Sequence, residues 1–346
     1  MSVPEVKHMV PELRGRDLIT LQDWGVKEIE ETIELAEEIK SMHKNGSFLS
    51  FSPLLKKTLI MLFYAPSTRT RSAFESAMTL LGGHAQHVSS SMTREGEGES
   101  RKDVAKMYEL YGDALGIRLL DHATDFVYGE GNKILREFAE HSEKPVINMA
   151  DDMFHPTQAL ADLMTVKERF ASLKSRKFAI TWAYADVPRG YCSIDGDALL
   201  ATRLGMDVSI AHPKGFELPE NIIKMIERNA RASGAKFEIT DDRQKALNGA
   251  SVVFPRSWIT RRIAEEGYAK TWEEEKKAYE PYKEWRLKKG DMDLMDKDAV
   301  ITHVLPVLRG YEADDDLMDS ERSVIYQQAE NGLFAKCAVL LQVMGE

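Results

Sequence analysis

The chain alternates short apolar runs with amphipathic segments, and this alternation sets the predicted architecture. A continuous apolar run over residues 58–64 predicts a strand that is buried on both faces. Behind it, apolar residues from Phe74 to Leu81 fall at helical spacing, which predicts a helix that ends at Gly82. Strand and helix patterns keep alternating along the chain and indicate parallel sheets covered by helices on both faces.

Two such series follow one another, and they predict an α/β protein with two doubly wound parallel-sheet domains. The first domain covers residues 1–150 and is completed by a C-terminal helix over residues 323–346, broken near Asn331-Gly332. The second domain covers residues 151–322. Ligands of such sheets bind beyond the carboxyl ends of the strands. We therefore expect the site in a cleft between the two domains.

Composition narrows the class of function. The 346 residues, 43% of them hydrophobic, can build the cores of two domains. The net charge of −10 argues against a general nucleic-acid binder. Apolar runs stay short of the roughly 18 residues that span a bilayer, and residues 1–25 read as a polar lead-in without a signal-peptide pattern. Cys192 and Cys337 are too few for a disulfide framework, so we expect a cytoplasmic protein.

The segment Ser67-Thr-Arg-Thr-Arg71 lies where the first strand turns into a helix. Free backbone N–H groups and the positive end of the helix dipole point there, and hydroxyls and two guanidinium groups are added to them. This combination predicts a phosphate site. The alternative is an ordinary N-cap with solvated arginines. It is weakened because arginines directly behind an apolar strand need a partner, and the local sequence offers only Glu75.

Arg118, His155 and Leu305 also lie just past predicted strand ends. His155 and Gln158 are three residues apart at a helix start, so they share a face and could bind a carbonyl oxygen and an NH2 group. The structural alternatives are a capping histidine beside a solvated glutamine, and an arginine that snorkels to the surface. Together with Ser67–Arg71 these residues predict a ligand with a phosphate at one end and a carbonyl amide at the other.

Several motifs resemble the aspartate/ornithine carbamoyltransferase family, and the match spans about residues 10–344. They are Phe63–Glu75, Gly116–Arg118, His155–Thr165, His303–Pro306 and Gln328–Asn331. The second half is most similar to the branch of N-acetylornithine and N-succinylornithine transcarbamylases and their YgeW-like relatives, through the segments Thr181–Tyr184, Arg203–Val208, Ala211–Pro213 and Arg256–Trp258. That branch implies a knotted loop, for which Ala185–Asp195 is the candidate.

The resemblance implies an enzyme that moves the carbamoyl group of carbamoyl phosphate to the amine of an amino-acid acceptor and releases phosphate, a reaction of amino-acid biosynthesis. The implied donor site consists of Ser67, Thr68, Arg69, Thr70, Arg118, His155, Gln158 and the Leu305 carbonyl, with Thr70, Arg118 and His155 as the catalytic residues. The acceptor candidates are Asn148, Arg256, Ser257, Trp258, Val304 and Arg309. Family members are trimers or multiples of trimers, and Arg94 in the loop Ser89–Ser100 would reach the site of a neighbouring subunit.

The resemblance requires no metal or organic cofactor, and the sequence contains no zinc, P-loop or dinucleotide motif. The carboxylate runs Asp151-Asp152 and Asp314–Asp316 are predicted to be solvated loops rather than metal ligands. The missing glycine-rich turns also disfavour a Rossmann-type dehydrogenase. A non-enzymatic protein that binds carbamoyl phosphate on the same fold stays open.

The acceptor is less clear from the sequence. Ornithine enzymes carry Asp-x-x-x-Ser-Met-Gly after the strand equivalent to residues 252–254, where this chain has Phe254-Pro-Arg-Ser-Trp-Ile259. An arginine there suits a carboxylate or a carbonyl better than an ammonium group. Val304 replaces a cysteine typical of ornithine enzymes, and Arg309 resembles the aspartate branch. Ornithine or an N-acylated ornithine is the leading prediction, with aspartate or an unassigned acceptor as alternatives.

Overall fold

A computed structural model gives the fold of residues 6–345. The chain forms two compact units, and each consists of more than one stretch of sequence. The first comprises Met1–Ala123, Gly129–Met164 and Glu330–Glu346, and the second comprises Thr124–Tyr128 and Thr165–Ala329. The chain thus leaves the first unit after Met164, later than the predicted boundary at residue 150, because the helix that follows His155 begins in the first unit. It returns at Glu330 rather than at residue 323.

The first unit is built around parallel strands in the order β2-β1-β3-β4. Its elements are α1 (Val26–Lys44), β1 (Thr58–Phe63), α2 (Arg69–Leu80), β2 (His84–Ser89), α3 (Arg101–Tyr111), β3 (Ala114–Leu119), α4 (Glu130–His141), β4 (Val146–Asp151) and the start of α5 (Pro156–Phe170). The chain runs from β1 to β2 on one side and then to β3 on the other. The topological switch point, where such sheets bind ligands, is therefore at the carboxyl ends of β1 and β3. Phe63 pairs with Arg118 there.

The second unit repeats this plan with parallel strands in the order β7-β6-β5-β8-β9. The remaining elements of the chain are β5 (Lys177–Trp182), α6 (Cys192–Arg203), β6 (Asp207–Ala211), α7 (Glu220–Ser233), β7 (Phe237–Thr240), α8 (Arg243–Leu247), β8 (Val252–Arg256), α9 (Arg261–Glu266), α10 (Tyr268–Tyr279), β9 (Val300–Ile301), α11 (Asp315–Met318) and α12 (Ile325–Met344). The switch point lies between β5 and β8, where Trp182 pairs with Arg256. The predicted class, two doubly wound parallel-sheet domains, is confirmed.

The prediction of a polar lead-in over residues 1–25 is wrong for its described part, while residues 1–5 lie outside the description. Leu13, Leu18 and Trp24 are buried in the first unit. The backbone N–H of Leu18 donates to the carbonyl of Val146 over 2.9 Å, and the N–H of Asn148 donates to the carbonyl of Leu18 over 2.8 Å. Leu18 thus extends the sheet at β4. A single bridge of this kind leaves no alternation in the sequence to detect.

Two predicted elements of the second half are also wrong in their extent. Helix α12 runs through Asn331-Gly332 without a break. One interior glycine costs about 1 kcal/mol, and the apolar face of a long helix outweighs that cost. The predicted strand over residues 299–305 is limited to Val300–Ile301, because the N–H of His303 donates to Oε1 of Gln328, over 2.9 Å, instead of joining a ladder.

The carboxylates of Asp151 and Asp152 are fully buried, which corrects the prediction of a solvated loop. Oδ2 of Asp151 accepts from Nδ2 of Asn132 (2.6 Å) and from Nδ2 of Asn148 (2.9 Å). Oδ1 of Asp152 accepts from the N–H of Asn132 near the start of α4 (2.8 Å). Burial and the neighbouring charge of Asp152 raise the pKa of Asp151 to about 7. These carboxylates therefore fix the chain that leads into His155.

Asp315 and Asp316 are exposed, as predicted, but they begin the short helix α11 rather than a loop, and Asp314 is half-buried and accepts from Nε of Arg286 over 2.8 Å. Clusters of three or more His, Cys, Asp or Glu side chains that could hold a metal ion do not occur within the described residues. In the same part of the chain, the helices are too short or too polar to cross a bilayer.

Candidate functional site

The first turn of α2 carries the predicted phosphate-binding residues. Thr68 precedes the helix, and Thr68 and Arg69 are exposed while Ser67 is half-buried. Oγ of Ser67 accepts from the N–H of Arg71 over 3.4 Å. Nε of Arg71 donates to Oε1 of Glu75 over 2.8 Å, so Glu75 is the ion-pair partner of Arg71. The exposed helix start and Arg69 thus form a positively polarised surface of the kind that binds phosphate.

Arg118 joins this helix start to the sheet. It stands near the carboxyl end of β3, and its Nη1 donates to Oγ1 of Thr70 (3.0 Å) and to the carbonyl of Met149 (3.4 Å). Thr70 itself is buried in the first turn of α2. Two predicted catalytic residues from separate segments are thereby in direct contact at the switch point of the first sheet.

His155 supplies the third predicted catalytic group, directly ahead of α5. It is 9% exposed, and its Nδ1 has no hydrogen-bond partner among the described residues. Burial lowers the pKa of His155 well below 6.5, and the charges of Arg118 and Lys336 lower it further. The imidazole is therefore neutral at pH 7. A neutral imidazole can donate one hydrogen bond to a ligand oxygen, and it does not attract the phosphate as a charged imidazolium would.

Gln158 lies in the first turn of α5, and its Nε2 donates to Oδ1 of the fully buried Asp162 over 2.6 Å. Asp162 and the buried Lys336 of α12 are functional candidates that the sequence analysis missed. Asp162 follows Gln158 by four residues, which places both on one helix face. Lys336 is a charged residue in an otherwise apolar stretch, a pattern that signals a buried, paired cation. Both signals were present in the sequence.

A second polar cluster occupies the switch point of the second sheet. Glu312 is fully buried, and its Oε1 accepts from Nη1 of Arg256 (3.4 Å) and from the N–H of Ser257 (3.0 Å). Its Oε2 accepts from the N–H of Leu308 (2.8 Å) and from Nε2 of His303 (3.1 Å). Arg256 is thus neutralised by an internal carboxylate, a partner that the sequence analysis did not anticipate.

The other residues predicted to bind the acceptor differ in their surroundings. Oγ of Ser257 and Nε of Arg256 are buried and lack hydrogen-bond partners in the part of the chain that the structure describes. Trp258 is fully buried, and its indole N–H donates to the carbonyl of Phe216 over 2.8 Å. Asn148 belongs to the first unit, where its Nδ2 donates to the carbonyl of Ile19 over 2.9 Å. Trp258 and Asn148 therefore have structural contacts, and an acceptor contact for either is only a prediction.

The segment that begins at His303 holds the backbone of Leu305 in an unusual conformation. Val304 and Leu305 are half-buried, and Leu305 has a φ of 49°, which is costly for a residue with a branched side chain. The N–H of Leu305 donates to Nδ1 of His303 over 3.1 Å, which leaves Nε2 of His303 to donate to Glu312. These hydrogen bonds of His303 thus fix the Leu305 backbone. Farther along the same segment, Arg309 forms a two-pronged ion pair with Asp319, with both distances 2.7 Å.

Arg94 lies on the surface, and its predicted role in the site of another subunit stays a prediction. Its side chain is 78% exposed, and its Nη1 donates to Oε2 of Glu97 over 2.7 Å. The loop around it is anchored through Glu95, which accepts from the Tyr64 hydroxyl and from Nε of Arg101, the latter over 2.8 Å. The loop is therefore tied to the strand end that leads into Ser67.

The fold and the contact of Arg118 with Thr70 define a class: a parallel α/β protein with a guanidinium and a hydroxyl group together at the switch point of its first sheet. Comparisons with known proteins narrow it. Residues 16–168 match the carbamoyl-P binding domain, and residues 194–343 the Asp/Orn binding domain, of the aspartate/ornithine carbamoyltransferase family. The chain belongs to this family. The predicted family and the predicted enzyme class, a carbamoyltransferase, are thereby confirmed.

Individual relatives agree with this assignment. The chain is 37% identical over 337 residues to the anabolic ornithine carbamoyltransferase of Pyrococcus furiosus, covering 97% of this chain and 99% of the relative. The ornithine carbamoyltransferase of Pyrococcus abyssi is 36% identical over 337 residues, covering 97% and 98%. The solved Pyrococcus furiosus enzyme superposes with a TM-score of 0.83 at 35% identity, covering 96% and 98%. An acetylornithine transcarbamylase complexed with acetylcitrulline superposes with a TM-score of 0.86 at 28% identity, covering 96% and 100%.

Proposed function

We propose that this protein transfers the carbamoyl group of carbamoyl phosphate to the δ-amine of ornithine or of an N-acylated ornithine. The observation that carries the proposal is the contact of Arg118 with Thr70 beside the neutral, buried His155. An anion site next to a group that donates to a carbonyl oxygen fits a carbamoyl phosphate. Its phosphate would lie at the start of α2, against Ser67, Thr68, Arg69 and Thr70.

In the proposed reaction the neutral δ-amine attacks the carbamoyl carbon. A C–N bond forms, and negative charge develops on the carbonyl oxygen, where Arg118, Thr70 and His155 donate hydrogen bonds. The C–O bond to the phosphate then breaks. The phosphate leaves with both electrons of that bond and takes the proton of the new ammonium group. Gln158 and the Leu305 carbonyl would hold the carbamoyl NH2.

Two observations support a δ-amine acceptor. Relatives named ornithine carbamoyltransferase share 37% and 36% identity with nearly the whole chain. In addition, Glu312 compensates the charge of Arg256, so the arginine does not make the second sheet's switch point repel an ammonium group. Aspartate is the alternative that the sequence left open, and Arg309, which pairs with Asp319 near the surface, is the residue that would favour it.

Phosphate release from carbamoyl phosphate, measured over a panel of ornithine, N-acetylornithine, N-succinylornithine and aspartate, tests the function. We expect turnover with at least one δ-amine and none with aspartate. The amine of aspartate is attached to its α-carbon rather than to the end of a side chain, and aspartate carries a second carboxylate. Turnover with aspartate alone would show that aspartate, and not ornithine or an N-acylated ornithine, is the acceptor. Tight carbamoyl phosphate binding without turnover on any acceptor would instead support a non-enzymatic binding protein.

We further propose a cytoplasmic homotrimer, or a multiple of trimers, in which Arg94 enters the site of a neighbouring subunit. Its high exposure supports this role. Arg94→Ala and His155→Ala should each be almost inactive, whereas a mixture of the two, dissociated and reassembled, should regain activity. Some hybrid sites would then combine an intact His155 with an intact Arg94.

The control for this experiment is each variant dissociated and reassembled by itself, which should stay inactive. The exposed variant Arg231→Ala should behave as the wild type before and after reassembly. A mixture no more active than the sum of its separate components would contradict a shared site, as would an Arg94→Ala variant with the wild-type rate.

A further inference from the structure

Tyr64 connects the end of β1 to the loop Ser89–Ser100, and the proposed mechanism does not use it. Its backbone N–H donates to the carbonyl of Arg118 over 3.0 Å, which fixes the residue at the switch point of the first sheet. Its hydroxyl donates to Oε2 of Glu95 in the loop. Burial raises the pKa of Tyr64 above its usual value, and the hydrogen bond to Glu95 raises it further, so the hydroxyl keeps its proton and stays a donor.

Glu95 is a loop carboxylate that points into its own chain. Its side chain is 15% exposed, and its Oε1 accepts from Nε of Arg101 over 2.8 Å. Nη1 of Arg101 donates in turn to Oε2 of Glu137 on α4, over 2.9 Å. A glutamate is seldom buried to this degree without a paired cation, and Arg101 supplies that cation. Glu95 is therefore held from two sides, by the end of β1 through Tyr64 and by α3 through Arg101.

The preceding residue, Arg94, points outward, with a side chain that is 78% exposed. Its carbonyl accepts from the N–H of Glu97 over 2.8 Å and from the N–H of Glu99 over 3.2 Å. A turn thus holds the backbone on one side of the peptide between Arg94 and Glu95, and the anchored carboxylate holds it on the other. Because both sides of this peptide are fixed, the direction in which the Arg94 side chain leaves the surface is fixed as well.

We propose that Glu95 is a positioning residue, which holds Arg94 in the orientation that reaches the site of the neighbouring subunit. Tyr64 and Arg101 are its anchors. The inference rests on the proposed function, because it concerns the shared site. A loop that is already ordered loses less conformational entropy when its arginine binds across the boundary, and ordering one backbone residue costs about a factor of ten in an equilibrium constant. Glu95 therefore acts on the rate of the neighbour's site and not on that of its own.

Subunit mixing tests this assignment. Arg94→Ala subunits supply intact sites, His155→Ala subunits supply intact loops, and the two are dissociated together and reassembled. Glu95→Ala, added to the loop-supplying subunit, should lower the activity of the mixture by about tenfold, the cost of ordering one released residue. The same substitution added to the site-supplying subunit should leave the activity unchanged, because the loop of that subunit is already inactive.

Tyr64→Phe is a second and milder variant. It keeps the ring and the backbone hydrogen bond to Arg118, and it removes only the hydroxyl group. On the loop-supplying subunit it should lower the activity by about fivefold, the usual worth of one hydrogen bond, and on the site-supplying subunit it should have no effect. The matched control Glu99→Ala removes an exposed carboxylate from the same loop and should be silent on either subunit. All mixtures are compared at equal amounts of assembled oligomer, measured by size-exclusion chromatography.

An equal loss of activity from Glu95→Ala on either subunit would show that Glu95 supports its own chain, and it would overturn the inference. An unchanged activity with Glu95→Ala on the loop-supplying subunit would overturn it as well. Neither result touches the proposed function, because the reference mixture of Arg94→Ala and His155→Ala is active in both. A reference mixture without activity would overturn the shared site and this inference together, while carbamoyl transfer by the wild type would still uphold the proposed reaction.

Discussion

Arg118→Ala is expected to lower kcat/KM for carbamoyl phosphate by about a thousandfold, since removing even one donor from an oxyanion site costs roughly 10²–10³ in rate. The guanidinium is half-buried, and it donates to Thr70 and to the Met149 carbonyl, so the lost charge cannot be replaced by bulk water at no cost. Steady-state phosphate release, with carbamoyl phosphate varied at saturating acceptor, measures the effect.

The matched control is Arg231→Ala, which removes an arginine that is 82% exposed on α7 and should keep wild-type kinetics. His155→Ala should also reduce kcat, because it removes the neutral donor beside Arg118. An Arg118→Ala enzyme with an unchanged kcat/KM would exclude this arginine from the reaction, and the proposed arrangement of the donor would have to be abandoned.

Glu312→Gln is expected to destabilise the protein by about 3 kcal/mol, the range measured when one partner of a buried ion pair is removed. The carboxylate receives hydrogen bonds from Ser257, Leu308 and His303, and it balances the buried Arg256. The amide is similar in shape, but it leaves the arginine charge uncompensated. Thermal unfolding of the wild type and the variant at pH 7 measures the difference.

The pH dependence gives an independent signature of Glu312. Burial alone would raise its pKa, but the charges of His303 and Arg256 and the hydrogen bonds it accepts outweigh burial, and lower the pKa to about 2 from the ordinary 4.5. Because burial lowers the pKa of His303, the lasting cation at neutral pH is Arg256. The ionised carboxylate therefore stabilises the fold fully above pH 4.5, and this stabilisation is lost as the pH falls toward 2.

The variant should accordingly lose less stability than the wild type between pH 4.5 and 2. Glu227→Gln, at a glutamate 46% exposed on α7, should change stability by less than about 0.5 kcal/mol and leave the acid profile intact. Equal stabilities of Glu312→Gln and wild type at pH 7 would show that Arg256 finds adequate compensation elsewhere, contrary to the buried ion pair described here.

The sequence was most informative where one local pattern decides the outcome. The apolar run of β1 cannot be accommodated outside a buried strand, and the polar residues behind it must lie at the edge of the sheet. Arg118 and His155 follow from the same reasoning at β3 and β4. A motif that sits at a strand end is thus readable from the chain, because the strand itself fixes where the motif lies.

The sequence was least informative where the partner is remote. Lys336 and Asp162 belong to helices far apart in the chain, and the effect of the Asp162 charge on the pKa of Lys336 becomes visible only in the folded protein. Glu312 lies in an irregular segment, and nothing near it in sequence announces that it faces Arg256. Asp151 read as solvated, since a carboxylate pair is usually exposed, yet backbone and amide donors enclose it here.

The position of Leu18 beside β4 affects how readily this edge strand can pair with another molecule. It bridges to β4, the last strand on its side of the first sheet, and occupies hydrogen-bonding groups that would otherwise be open. Open groups on a terminal strand invite pairing with the same strand of another molecule, which is the usual start of aggregation. The amino-terminal segment therefore covers part of this edge strand, and its removal should favour intermolecular strand addition at β4.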